Sequence, residues 1–86
     1  MARVTIQYWA AARDAAGVAA ESVEAETLAD ALDVIVARRG EDARLRSVLA
    51  TSSFLVDGSP AGRRAAADLV LADAAHIEVL PQFAGG

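Results

Sequence analysis

Val4, Ile6 and Tyr8 are apolar, and the residues between them, Arg3, Thr5 and Gln7, are polar. That two-residue period is the mark of a strand with one face buried. It returns near the other end of the chain, where Ile77 and Val79 interleave with His76, Glu78 and Leu80. Between these strands the period lengthens. Leu28, Ala31, Leu32 and Ile35 stand at i, i+3, i+4 and i+7, which predicts an amphipathic helix over Leu28 to Arg39. Thr27 is placed to cap it, with Asp30 three residues on as an incomplete capping-box partner. Arg38 and Arg39 suit the carbonyl end of the helix dipole, and Gly40 can take the left-handed closing torsion.

The remaining segments fill in a mixed topology. Ala10 to Ala16 is rich in helix formers and stops before Gly17, so it predicts a helical turn or loop. Ala20 to Ala25 reads as a second strand, although only Val23 is strongly strand-forming. Asp42 begins a shorter helical pattern with Leu45, Val48 and Leu49 on one face. Ser52 to Val56 predicts a strand, Asp57-Gly58 a tight hairpin turn needing positive φ twice, and Ser59 to Gly62 a short return strand. Arg63 to Ala67 has no clear period and reads as a loop or short helical turn. Together these predict one α+β domain over residues 1–86, a mixed sheet of four or five strands packed on one main helix plus a short helix. If the first and last strands are neighbours, they pair in parallel and the chain from Pro81 onward leaves from the middle of the sheet.

At 86 residues there is no room for a separate catalytic domain. No apolar run approaches the ~20 residues of a membrane span, and the N-terminal strand is too short and too alternating for a signal peptide, so a soluble cytoplasmic protein without membrane contact is expected. The net charge of −4 argues against nucleic acid and favours a protein partner with basic character. Asp and Glu are scattered without ligand spacing, which predicts no bound metal. There are no cysteines, so no thiolate can serve as nucleophile, ligand or sulfur handle.

The sequence ends Leu80-Pro81-Gln82-Phe83-Ala84-Gly85-Gly86. Two closing glycines arise by chance in roughly one chain in 200, so the doublet needs support. It comes from Tyr8-Trp9-Ala10 through Arg13 and Gly17, from Val56-Asp57-Gly58, and from the Leu-Pro and Gly-Gly of the ending. With these at their separations, the whole chain resembles the ubiquitin-like β-grasp sulfur carriers, and within them the small subunit of molybdopterin synthase. Two positions depart from that pattern. Asp73-Ala74-Ala75 stands where the family usually has Asp-Gly-Asp, and Gln82 replaces a frequent second proline.

The resemblance implies a β-grasp fold and a carrier that is not an enzyme by itself. The Gly86 carboxylate would be adenylated by an E1-like activating enzyme using ATP, then converted to a thiocarboxylate, with no cofactor bound by the chain. The large subunit of molybdopterin synthase would receive Pro81, Gln82, Phe83 and Ala84 as the contacting stretch, with Gly85 and Gly86 at the reacting end. Without a Cβ these glycines suit a narrow slot. Pro81 to Gly86, fully extended, reaches at most about 20 Å. Carriers for thiazole or cysteine synthesis share the Gly-Gly ending, and a modifier joined through Gly86 to lysines is a further alternative.

Other residues admit plainer readings. Trp9 and Phe54 either form a partner patch or pack on the core. His76 reads as a solvated strand residue, Arg13 with Asp14 as a local surface pair or an interface contact, and Arg63-Arg64 as an exposed loop pair able to meet an acidic partner.

Overall fold

A computed structural model describes residues 2–82. β1 (Ala2–Tyr8) and β5 (His76–Leu80) run parallel, in the register Thr5 to His76 through Tyr8 to Val79. β2 (Ala20–Ala25) flanks β1 antiparallel, and β3 (Ser53–Val56) flanks β5 antiparallel with β4 (Ser59–Pro60) outside it. The sheet order β2-β1-β5-β3-β4 puts β5 in the centre. One face carries α1 (Ala10–Ala16), α2 (Leu28–Ala37) and α3 (Ala43–Ala50). This is the ubiquitin-like β-grasp arrangement.

The alternation decides which side chains meet the helices. Val4, Ile6, Tyr8, Val23, Ala25, Ile77 and Val79 are buried and pack with Leu28, Ala31, Ile35 and Val36 of α2 and with Leu45 and Leu49 of α3. Leu69 and Leu71 close the core from the last long connection. Leu32, on the expected inner stripe, is only partly buried, and Val36 takes its place inside. Ala10–Ala16 is a helix rather than a loop, ended by Gly17 at φ 81 with its N–H bonded to Arg13 O. The return strand is two residues long instead of four, because the chain leaves the ladder after Ala61 N–H reaches Phe54 O at 2.9 Å.

α2 ends in a Schellman closure. Glu41 N–H bonds Val36 O at 3.0 Å and Gly40 N–H bonds Ala37 O at 3.2 Å, with Gly40 at φ 63. Regular helix therefore stops at Ala37, two residues before the sequence pattern does. Thr27 accepts from Asp30 N–H at 3.1 Å, and Asp42 from Leu45 N–H at 3.0 Å, so both helix starts are capped as their residues predict.

A polar clasp joins this end of α2 to the sheet. Glu21 sits opposite Ile6 on the inner face of β2. It accepts from the Tyr8 hydroxyl at 2.5 Å, from Arg39 at 2.6 Å and from Arg38 at 3.0 Å. Arg39 also donates to Ala16 O and Ile35 O and lies 5.9 Å from the centre of the Tyr8 ring. Burial raises the Glu21 pKa, but the hydrogen bonds from Tyr8, Arg39 and Arg38 outweigh it and leave the carboxyl below its ordinary value. The Tyr8 hydroxyl is pushed far up by burial and by Glu21, which keeps it a donor.

The turn Ala72 to Ala75 carries the Asp-Ala-Ala departure. Ala75 N–H bonds Ala72 O at 3.1 Å and Ala74 has φ 67, the third position of a turn that favours glycine. Asp73 accepts from Arg3 N–H at 2.9 Å and Ala74 N–H bonds Arg3 O at 2.8 Å, so the turn is held against β1 despite the alanine.

Two outcomes follow. A carboxyl whose folded pKa is depressed contributes its stability above the unfolded value, about 4.3, and loses it as pH falls through the folded value. Glu21→Gln is expected to cost about 1.5–3 kcal/mol at pH 7, and its deficit relative to the parent should shrink in denaturation curves taken from pH 5 downward. A deficit independent of pH would contradict the clasp. Ala74→Gly is expected to stabilise by about 0.5–1 kcal/mol, the left-handed strain of alanine less the chain entropy of glycine. A lowered thermal midpoint would count against the turn geometry.

Candidate functional site at the end of the central strand

β5 delivers the chain to Pro81 between the end of β1 and the start of β3. Leu80 is paired with Ser53 and Val79 with Tyr8. Pro81 is buried and Gln82 is exposed. The ring of Pro81 therefore belongs to the body of the domain, and the outward course starts at Gln82 rather than at Pro81. Phe83, Ala84, Gly85 and Gly86 lie outside the described residues.

Trp9 flanks this exit. Its N–H reaches Val79 O at 3.3 Å, and its indole Nε1 donates to Glu78 Oε1 at 3.2 Å. The ring is 44% exposed, an uncommon state for so large an apolar surface. The register puts Leu80 and Leu55 on the same outer face as Glu78, with Pro60 opposite Leu55. Glu78 thus has Leu55 beside it on β3, Gln7 beside it on β1, Leu80 two residues on along β5, and Trp9 bonded to its carboxylate. Phe54 faces the other way and packs against the core. Of the two aromatics weighed as a partner patch, only Trp9 is on the surface near the exit.

His76 is half-buried, its ring Nε2 3.1 Å from Gln7 Oε1, and its N–H bonds Asp57 at 2.8 Å. It pins the hairpin to β5 and stands apart from the exit. Arg13 and Asp14 are both exposed, and among the described residues no ion pair joins them. No group of His, Asp and Glu among the described residues could hold a metal, and no helix among them is long and apolar enough to cross a membrane.

Glu78 and Leu55 were not singled out by the sequence, and Leu80 only as part of the Leu-Pro ending. The signal was present, because outward positions of a one-sided sheet should be polar, and Leu55 and Leu80 occupy such positions.

The family model described as the ThiS family matches residues 6–86. The chain belongs to this family of small ubiquitin-like sulfur carriers. Solved structures agree in fold. The small archaeal modifier protein 1 of Methanosarcina acetivorans is 22% identical with a TM-score of 0.83, covering 100% of this chain and 98% of that one. A putative molybdopterin converting factor subunit 1 of Pyrococcus furiosus is 20% identical with a TM-score of 0.74, covering 96% and 100%. A complex of subunits 1 and 2 of the molybdopterin-converting factor of Helicobacter pylori matches at 18% identity and a TM-score of 0.67, covering 98% and 99%. A comparison with curated proteins found no match.

The Trp9 to Glu78 bond is testable because Trp9 is the single tryptophan. Glu78→Ala should shift its emission to the red and shorten its anisotropy decay, with stability changed by no more than about 1 kcal/mol. Unchanged emission would show that the indole is held by something else.

Proposed function

We propose that this family member carries sulfur as a thiocarboxylate on Gly86 and is the small, non-catalytic subunit of a molybdopterin synthase. The observation that carries the reading is the Leu80-Pro81 to Gly85-Gly86 ending, attached to the central strand of a ThiS-family fold. A carboxylate is a poor acyl donor. In the activating enzyme one of its oxygens would attack the α-phosphorus of ATP, releasing pyrophosphate and leaving an acyl adenylate. A persulfide sulfur of a donor would then displace AMP from the acyl carbon, and reduction of the resulting acyl disulfide by a thiol would leave the thiocarboxylate.

The chain's own contribution is steric and positional. Gly86 presents an unbranched α-carbon, and Gly85 permits backbone torsions closed to other residues. Gln82, Phe83 and Ala84 are the stretch that would line a partner's channel, with Phe83 as apolar anchor. Glu78, with Leu55, Leu80 and Trp9 near it, suits a partner surface with a basic residue opposite the carboxylate and apolar residues beside that. The Helicobacter pylori neighbour, whose subunit 1 is in a complex with subunit 2, supports a large-subunit partner of this kind. The aromatic-Ala segment Tyr8-Trp9-Ala10 favours the molybdenum branch over thiazole or cysteine synthesis. A second reading, isopeptide transfer of Gly86 to lysines, is favoured by the likeness to archaeal modifiers.

Intact-mass measurement of protein produced with an activating enzyme and sulfur donor should show one oxygen replaced by sulfur at Gly86. One residue added after Gly86 should abolish the exchange while leaving the fold intact. Absence of exchange with a competent donor would sink the carrier reading. Recovery with thiazole synthase instead of a pterin-binding subunit would move the branch, and Gly86 remnants on lysines of other proteins would favour the modifier.

A further inference from the structure

α2 and α3 border a hollow on the helical side of the domain. Ala29, Leu32, Asp33 and Val36 stand at i, i+3, i+4 and i+7 and share one face of α2, while Arg46, Leu49 and Ala50 share one face of α3. Together with Ala66 they line a cavity of about 240 Å³. Val36 and Leu49 are buried, whereas Leu32 is only partly covered although the helical period puts it on the inner stripe. The small side chains of Ala29, Ala50 and Ala66 leave space beside it that larger residues would have filled.

Size and chemistry together select the occupant. The hollow is smaller than the about 300–1,000 Å³ of small-molecule sites, and no buried polar side chain lines it to orient such a ligand. It has room for a large apolar side chain of a protein. Its two charged lining residues are unequal, because Arg46 is already paired with Glu41 while Asp33 is exposed and, among the described residues, makes no ion pair. The uncompensated charge at the rim is therefore negative, in a chain of net charge −4, and attracts a cation. A second copy fits poorly. A two-fold contact sets the same patch on both subunits, which would put hollow against hollow and bring both Asp33 carboxylates to one contact.

We propose that this groove docks a helix of a protein partner, which inserts one long apolar side chain beside Leu32, Val36 and Leu49 and sets a lysine or arginine one turn away against Asp33. A helix laid in an apolar groove presents residues four apart on the same face, which matches a hollow with a carboxylate at its rim. Glu78 and Leu80 lie on the other face of the sheet, so a partner in this groove leaves that face free. The contact uses neither Gly86 nor an activating enzyme, and its test is separate from that of sulfur transfer.

The experiment uses the full chain labelled with nitrogen-15. The probe is the capped helix-forming peptide Ala-Ala-Lys-Ala-Ala-Ala-Phe-Ala-Ala-Ala-Lys-Ala-Ala, with a lysine four positions from the phenylalanine on each side. Amide shifts are expected at Ala29, Asp33, Leu49 and Ala50. Serine in place of the phenylalanine should weaken binding about tenfold or more, by the loss of apolar burial. Ala50→Leu fills the hollow from an exposed helix position and should weaken it about as much. Asp33→Lys should cost about fivefold at low salt. Asp14→Lys makes the same charge change on α1 and should leave affinity within about twofold, since distant exposed charges are screened. No shift at millimolar peptide, shifts confined to the outer sheet face, equal binding of the serine peptide, or equal losses in Asp33→Lys and Asp14→Lys would each overturn the proposal. So would benzylamine competing as well as the peptide, which would mark a small-molecule pocket. Concentration-dependent shifts at the same amides without peptide would mark a second copy instead and overturn it too.

Discussion

The parallel pairing of β1 with β5 is the constraint on which the remaining structure depends. Parallel neighbours cannot be joined by a hairpin, so the chain between Tyr8 and His76 must cross over one face of the sheet before β5 can form. That connection contains α2 and α3, which cover the apolar face, and β2, β3 and β4, which flank the central pair. Ile6 beside Ile77 and Tyr8 beside Val79 form the central contact under the helices, all of them essentially excluded from solvent. Emptying one of these positions leaves a cavity at the junction of every element, where truncation to alanine costs about 2–5 kcal/mol.

The sheet's edge at β2 is held by its antiparallel register with β1 from Ala2–Ala25 to Gln7–Ala20 and, across the inner face, by the Glu21 clasp. β2 has a single strongly strand-forming residue, Val23, and its inner face carries a carboxylate. Desolvating that carboxylate is unfavourable, and the arrangement is stable because Tyr8, Arg38 and Arg39 satisfy it together. Arg39 bridges further, to Ala16 O and Ile35 O, so one guanidinium ties the end of α1, the end of α2 and both strands of the first hairpin. Among the described residues no buried side-chain nitrogen or oxygen lacks a partner. α2 closes at the Schellman turn of Gly40, and Arg39, just before it, reaches Glu21 on the sheet.

What could be read from the residues follows from how local each signal is. β1, β5, the Asp57-Gly58 turn and the capped start of α2 are specified by neighbouring residues, and they appear at the positions expected. β4 is shorter than expected because its length depends on whether a loop beyond Ala61 keeps pairing, which no short window encodes. Leu32 is only partly buried while Val36 lies inside, a distribution set by the tertiary packing of α2 that periodicity cannot locate. The clasp was invisible for a related reason: Glu21 and Arg39 are separated by 18 positions. At the site, the Trp9 segment was legible, whereas the placing of Leu55 beside Glu78 required the register of β3 against β5.

Among the described residues no group of His, Asp and Glu could hold a metal, and the carrier role proposed above would place the chemistry at the final carboxylate. A domain with that task needs to fix where the chain departs and to be recognised by partners. Pro81 is held in the body of the protein, so the departure point is set by the three central strands rather than by a loop. Leu80 and Glu78 stand one and three residues before Pro81 on the outer face, with Trp9 bonded to Glu78, so under the proposed role a partner gripping this face would also be placed at the chain's exit. Recognition and delivery are then one geometric act. On this argument a carrier can exchange much of its sequence while keeping its role, provided the β1-β5 pairing, the outer face and the ending stay in the same relation.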